Sequence, residues 1–143
     1  MIFRLVRGII LILIGPLATL LLVISLQVSE PKVSYSFISK AILILGVITI
    51  LISLIGHILL KVFSRGMIVT VTISEAIYLL AFSFYALSDP VNWQENLMWL
   101  PIATISATAI SLPMSISISY GTGSIVNTVR KLRQESKGMS PQP

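Results

Sequence analysis

Four long apolar blocks, divided by three short polar connectors, decide most of what this chain can become. They cover about 9–28, 38–60, 67–87 and 97–120, so each holds at least 20 residues. Wound as an α-helix at 1.5 Å per residue, such a block crosses the roughly 30 Å of hydrocarbon in a bilayer. The connectors carry helix-ending punctuation: Ser29, Glu30, Pro31 and Lys32 after the first block, Lys61 to Gly66 after the second, and Ser88, Asp89 and Pro90 through Glu95 after the third. Connectors this short make consecutive helices antiparallel neighbours. The sequence therefore predicts an all-α membrane protein, with four transmembrane helices in an up-down-up-down antiparallel bundle. It forms a single domain over 1–143 that ends in a short basic amphipathic tail, 121–143.

Composition excludes a soluble alternative. Hydrophobic residues make up 55% of the chain and charged residues 10%, against about 25% charged in a typical soluble domain. A water-soluble fold of this length cannot hide that much apolar surface. The net charge of +5 does not point to nucleic acid, because the basic residues sit singly at block edges and near the C-terminus, with no basic face interleaved with aromatics.

That placement instead reads as topology. Arg4, Arg7, Lys61, Arg65, Arg130, Lys131, Arg133 and Lys137 all fall on one side, eight of the ten basic residues, against Lys32 and Lys40 on the other. The positive-inside rule puts the eight in the cytoplasm, with both termini, and makes this a multi-pass protein of the cell membrane. Block one also has features of a secretory signal, with Arg4 and Arg7 before it and Val23-Ile24-Ser25 as a loose cleavage site. Its apolar run is longer than such a signal needs, so it is read as a retained span.

Glu75 is the residue most suggestive of chemistry. It lies ten residues beyond Arg65, about 15 Å into block three and close to the bilayer midplane. A carboxylate there is expensive: it is either a functional group that gains and loses a proton, or a neutral acid or hydrogen-bonding anchor to a neighbouring helix or partner subunit. Thr72 and Tyr78, three residues to either side, share its helical face and are the expected hydroxyl neighbours. His57 lies one turn before Lys61, where it can reach headgroups or helix-end carbonyls or pack inside the bundle. A relay between His57 and Glu75 has to bridge about two helical turns. Lys40, at the opposite edge of block two, is expected to snorkel to the interface.

Block four repeats small residues every fourth position: Ala103, Ala107, Ser111, Ser115 and Ser119. Such a ridge lets another helix approach closely and lets hydroxyls bond across the contact. Pro113 within the block frees the carbonyl of Ala109. Trp93 and Trp99, with Tyr35 and Tyr120, form an expected aromatic belt at the two interfaces. In the tail, Ile125, Val129 and Leu132 fall at i, i+4 and i+7 beside Arg130, Lys131 and Arg133. That pattern suits either a helix lying on anionic lipid or a straight extension of the fourth helix to near Gly138.

Missing elements exclude whole classes. The chain has no cysteine, so disulfides and thiolate chemistry are ruled out. Gly121-Thr122-Gly123 lacks the lysine and strand of a phosphate loop. With a single histidine, neither a metal set nor a Ser/His/Asp arrangement is completed around Glu75. No enzyme, metal or cofactor is expected, and the partners implied are the lipid bilayer and other membrane subunits or further copies of the chain.

The leading reading is a non-catalytic accessory or structural subunit of a homo-oligomer or larger membrane complex. The alternative is a small proton- or cation-coupled transporter or channel using Glu75, and the third is a holin-like pore former.

Overall fold

The computed structural model describes residues 2–27 and 35–138. The connector residues Ser29, Glu30, Pro31 and Lys32 lie outside them, as does the ring of Tyr35. Four helices follow in order: α1 Ile2–Gln27, α2 Tyr35–Leu59, α3 Phe63–Leu87 and α4 Trp93–Gly138. All four are long and apolar enough to cross a membrane, and together they form the antiparallel four-helix bundle. No strand occurs among the described residues.

The helices are longer than the apolar blocks. α1 already includes Arg4 and Arg7, since nothing in its first turns breaks a helix and the long basic side chains can reach the interface along their stems. α4 runs on without a break from block four to Gly138, 46 residues in all. At about 69 Å it is roughly twice the hydrocarbon thickness, so it projects beyond the membrane. The 121–138 segment is thus a straight extension of α4. Its first residues are packed inside the bundle, with Gly121, Thr122, Gly123 and Thr128 buried.

Inside and outside are inverted relative to a soluble protein. Large apolar side chains such as Leu13, Leu43, Ile68, Leu80 and Ile105 face outwards, where lipid is as good a solvent as a protein core. Hydroxyls and glycines fill much of the interior, including Thr19, Thr49, Ser53, Thr70, Ser74, Ser115 and Ser119. With no hydrophobic force between helices in lipid, close backbone packing and interhelical hydrogen bonds hold the bundle instead. A small apolar plug of Tyr78, Met114 and Ile118, flanked by Ile42, Leu45 and Ile50, completes the centre.

α4 is the hub: it packs on α1, α2 and α3, while α1 and α3 do not meet. In a square bundle α2 and α4 would sit on a diagonal. Glycines explain their proximity, because a Cβ at Gly123 would lie 2.6 Å from His57 Cε1, so only glycine lets the α2 imidazole reach α4. On the α1 side, Ser117 Oγ donates to Leu11 O at 2.6 Å, a cross-helix bond beside the Ile12 carbonyl that Pro16 leaves without its helix donor. α1 and α4 stay helical through Pro16, Pro101 and Pro113.

The ends are secured by side chains. Arg130 donates to His57 O at 3.0 Å and to Lys61 O at 3.3 Å, capping the carbonyl end of α2 with a cation, as the helix dipole favours. At the other end, Asn96 Nδ2 donates to Ala86 O at 2.7 Å and ties α4 to the end of α3. Trp93 and Trp99 are exposed near that end, as is Lys40 on α2.

Asp89 organises the α3–α4 connector. Its carboxylate accepts from Val91 N at 2.9 Å, from Asn92 Nδ2 at 3.1 Å and from Asn92 N at 3.3 Å. These donors, Val91 N–H foremost, favour the charged form and hold its pKa below the usual 3.8. A folded-state value lowered in this way means that the turn's contribution is present above the ordinary aspartate range and fades as pH falls through the folded value. Amide exchange at Val91 and Asn92 is therefore expected to speed up in acid relative to Asp89→Asn, which keeps an acceptor but cannot titrate. Equal profiles in the two proteins would show that the carboxylate does not organise the turn.

Candidate functional site

Glu75 sits in the middle of α3 and is buried, with 8% of its surface exposed. Its two oxygens are held from α4: Ser111 Oγ donates to Oε2 at 2.7 Å and Ser115 Oγ donates to Oε1 at 2.6 Å. Each serine has a second acceptor on its own helix, Thr108 O at 3.4 Å for Ser111 and Leu112 O at 3.1 Å for Ser115. Because a hydroxyl rotates, each can donate either to the carboxylate or to the helix carbonyl, and can accept a hydrogen bond from a protonated carboxyl. The centre thus accommodates Glu75 with or without its proton and without moving a helix.

The neighbours expected on the same helix are not the ones observed. Thr72 faces outwards and Tyr78 is buried, but its hydroxyl turns to α2, where it bonds Thr49 Oγ1 and lies 3.3 Å from Leu45 O. Helical spacing placed both on the Glu75 side. It could not show that α4 would supply the partners.

His57 is buried, 3% exposed, which is the packed one of the two positions the sequence allows. Its Nε2 lies 3.1 Å from Ser119 O, a carbonyl that can only accept, so Nε2 carries a proton. The ring packs on Phe63, with centroids 5.4 Å apart, and fits where Gly66 and Gly123 leave room. Arg130, not His57, meets the carbonyl end of α2.

Helix register links these two groups. Thr49 faces Tyr78 and Gly56 faces Thr70 across the antiparallel α2–α3 pair, which places Ser53 level with Ser74. The parallel α2–α4 pair sets His57 beside Ser119, so Ser53 is also level with Ser115. Both Ser53 and Ser74 are fully buried, and their hydroxyls have no partner among the described residues. A buried hydroxyl without a partner carries a desolvation penalty of about 1–3 kcal/mol, so two in one layer call for an explanation. The layer lies between the Glu75 carboxylate and His57. Ser115 and Ser119 are one turn apart, roughly 6 Å, which shortens the gap inferred from depth alone.

Comparison with known protein families, curated proteins and solved structures finds no match to this chain. Among the described residues, no three of His, Cys, Asp and Glu converge as a metal set would.

The small-residue ridge divides in two. Ser115 and Ser119 are buried and Ser111 is half-buried, occupied with Glu75 and His57 inside the same chain. Ala103 and Ala107, nearer the start of α4, are half-buried. The half of the ridge that carries hydroxyls serves this bundle's own interior.

Proposed function

We propose that this chain is a non-enzymatic, multi-pass protein of the cell membrane that works as a small proton carrier, with Glu75 as the group that takes up and releases the proton. One observation carries the reading: the buried carboxylate is held by two serine hydroxyls that each have a second acceptor, beside a layer of unpartnered hydroxyls leading toward His57. Ionisable groups at membrane depth mark proton and ion routes when polar side chains connect them.

A second reading, a non-catalytic subunit of a homo-oligomer or larger complex, is favoured by Ala103 and Ala107, where a foreign helix can still approach. Reconstitution separates the two. Vesicles containing the purified chain and an entrapped pH dye are expected to acidify under an inside-negative potential faster than protein-free vesicles. Absence of such flux would leave the subunit reading standing and remove the carrier.

In this reading both ends of the chain face the cytoplasm, supported by the eight-to-two basic asymmetry. A cysteine at Asn92 is expected to react with an impermeant reagent in intact cells, and one at Ser136 only after permeabilisation. The reverse pattern would invert the orientation.

A further inference from the structure

We propose that the basic end of the bundle holds the phosphate of one anionic phospholipid headgroup, in a recess formed by the first turns of α1, the start of α3 and the extension of α4. The recess is a cavity of about 290 Å³ with Arg4, Arg7 and Lys131 on its walls. Phosphate is recognised by guanidinium groups through paired N–H donors, and by an ammonium as a point charge. None of these three cations is ion-paired among the described residues.

The recess is pre-arranged. Tyr120 stacks edge-on against Phe63, with centroids 5.4 Å apart, and the Arg7 guanidinium lies 5.7 Å from the centre of the Tyr120 ring. An arginine resting on an aromatic face keeps its N–H edge available while its motion is limited. Ser124 and Asn127 line the same cavity and add polar donors, neither side chain having a partner among the described residues.

Among the described residues one carboxylate, Glu135, borders an adjoining recess of about 210 Å³ that shares Arg4 and Lys131. Three cations against one carboxylate leave the pair of recesses positive.

A lipid suits the site better than free phosphate because α1 offers a place for the acyl chain. Ile10 and Ile14, at i+3 and i+7 from Arg7, share its helical face and are 46% and 50% exposed. A headgroup seated at Arg7 can therefore run its chain along α1 into the bilayer.

The test uses the full chain in mild detergent and native mass spectrometry, with phosphatidylglycerol and phosphatidylcholine as probes. One phosphatidylglycerol per chain is expected to be retained in preference to phosphatidylcholine. The variant Arg4→Gln/Arg7→Gln/Lys131→Gln is compared with Lys61→Gln/Arg65→Gln/Arg133→Gln, which removes the same charge from the same end. Diffuse attraction costs about fivefold per cation wherever it is lost. A site adds directed bonds, so the recess variant is expected to lose about tenfold more affinity than its matched control.

Equal losses, or no preference between the two lipids, would overturn the proposal. Should the triple variant fail to fold, Lys131→Gln against Lys61→Gln carries the same comparison on exposed side chains. Excess inorganic phosphate is expected not to displace the lipid. Displacement would assign the recess to soluble phosphate and overturn the lipid source. The site is separate from Glu75, so failure here leaves the carrier reading untouched.

Discussion

Glu75→Gln is expected to reduce potential-driven proton flux to the level of protein-free vesicles while the chain still folds and purifies as the wild type does. Glutamine has the same shape, and its amide fits the same two partners. Its oxygen accepts from one serine, and its nitrogen donates to the other, whose hydroxyl then turns to its own helix carbonyl. That alternative is in place, because Ser115 Oγ lies 3.1 Å from Leu112 O and Ser111 Oγ 3.4 Å from Thr108 O. The tie between α3 and α4 survives, and only the titrating proton is lost.

Glu75→Leu is the contrasting variant, because it removes the tie as well. Interhelical bonds in membranes are worth about 0.6 kcal/mol on average and up to about 1.7. The two bonds lost should therefore lower stability by about 1–3 kcal/mol in detergent. Wild-type flux persisting in Glu75→Gln would sink the carrier, and loss of folding in that variant would show that the carboxylate is structural.

Why the bundle was legible in the sequence and the centre only partly so follows from what helical spacing records. Block length and connector chemistry fix the number of spans, because each apolar run can satisfy its backbone only as a helix in lipid. Ends are another matter. The hydropathy of α4 falls after Tyr120, yet Gly121 and Gly123 continue the helix because α1 and α2 pack directly against them. Hydropathy registers solvent preference, and those glycines respond to neighbouring backbones.

Depth marks Glu75 in the sequence as a titrating group or an anchor to a neighbouring helix, but spacing along α3 names only Thr72 and Tyr78 as its neighbours. The signal for the true partners was already present, since Ser111 and Ser115 lay in the block-four ridge at a matching depth. Which face of α4 met α3 was missing. For His57 the sequence leaves an interfacial and a packed position open. The packed one is realised, because Arg130 from a segment sixty-nine residues beyond Lys61 caps that helix end and leaves the imidazole inside.

Gly121 is where the largest loss of stability is expected. A Cβ built there would stand 2.5 Å from Gly8 O, 2.9 Å from Ile12 Cγ1 and 3.2 Å from Ile12 N. Two of those three atoms are backbone, so no rotamer change relieves them and α1 as a whole has to move. The facing position is just as tight, with a Cβ at Gly8 lying 2.9 Å from Gly121 O and 2.7 Å from Ile125 Cγ1. Moving α1 also strains the Ser117–Leu11 bond and the contact of Gly15 with Met114 O.

Overpacking of this kind costs about 1–3 kcal/mol, more than the roughly 1 kcal/mol that alanine gains over glycine in helix propensity. Gly121→Ala should thus unfold at lower denaturant in mixed micelles, and Gly121→Leu should prevent α1 from docking. Gly46 supplies the control, since a Cβ there meets nothing closer than Pro16 Cγ at 3.6 Å. Gly46→Ala is expected to be neutral or stabilising by up to about 1 kcal/mol. If the two alanine variants unfold together, the close α1–α4 approach is not what holds this end of the bundle, and the placement of Arg4 and Arg7 beside Lys131 loses its foundation.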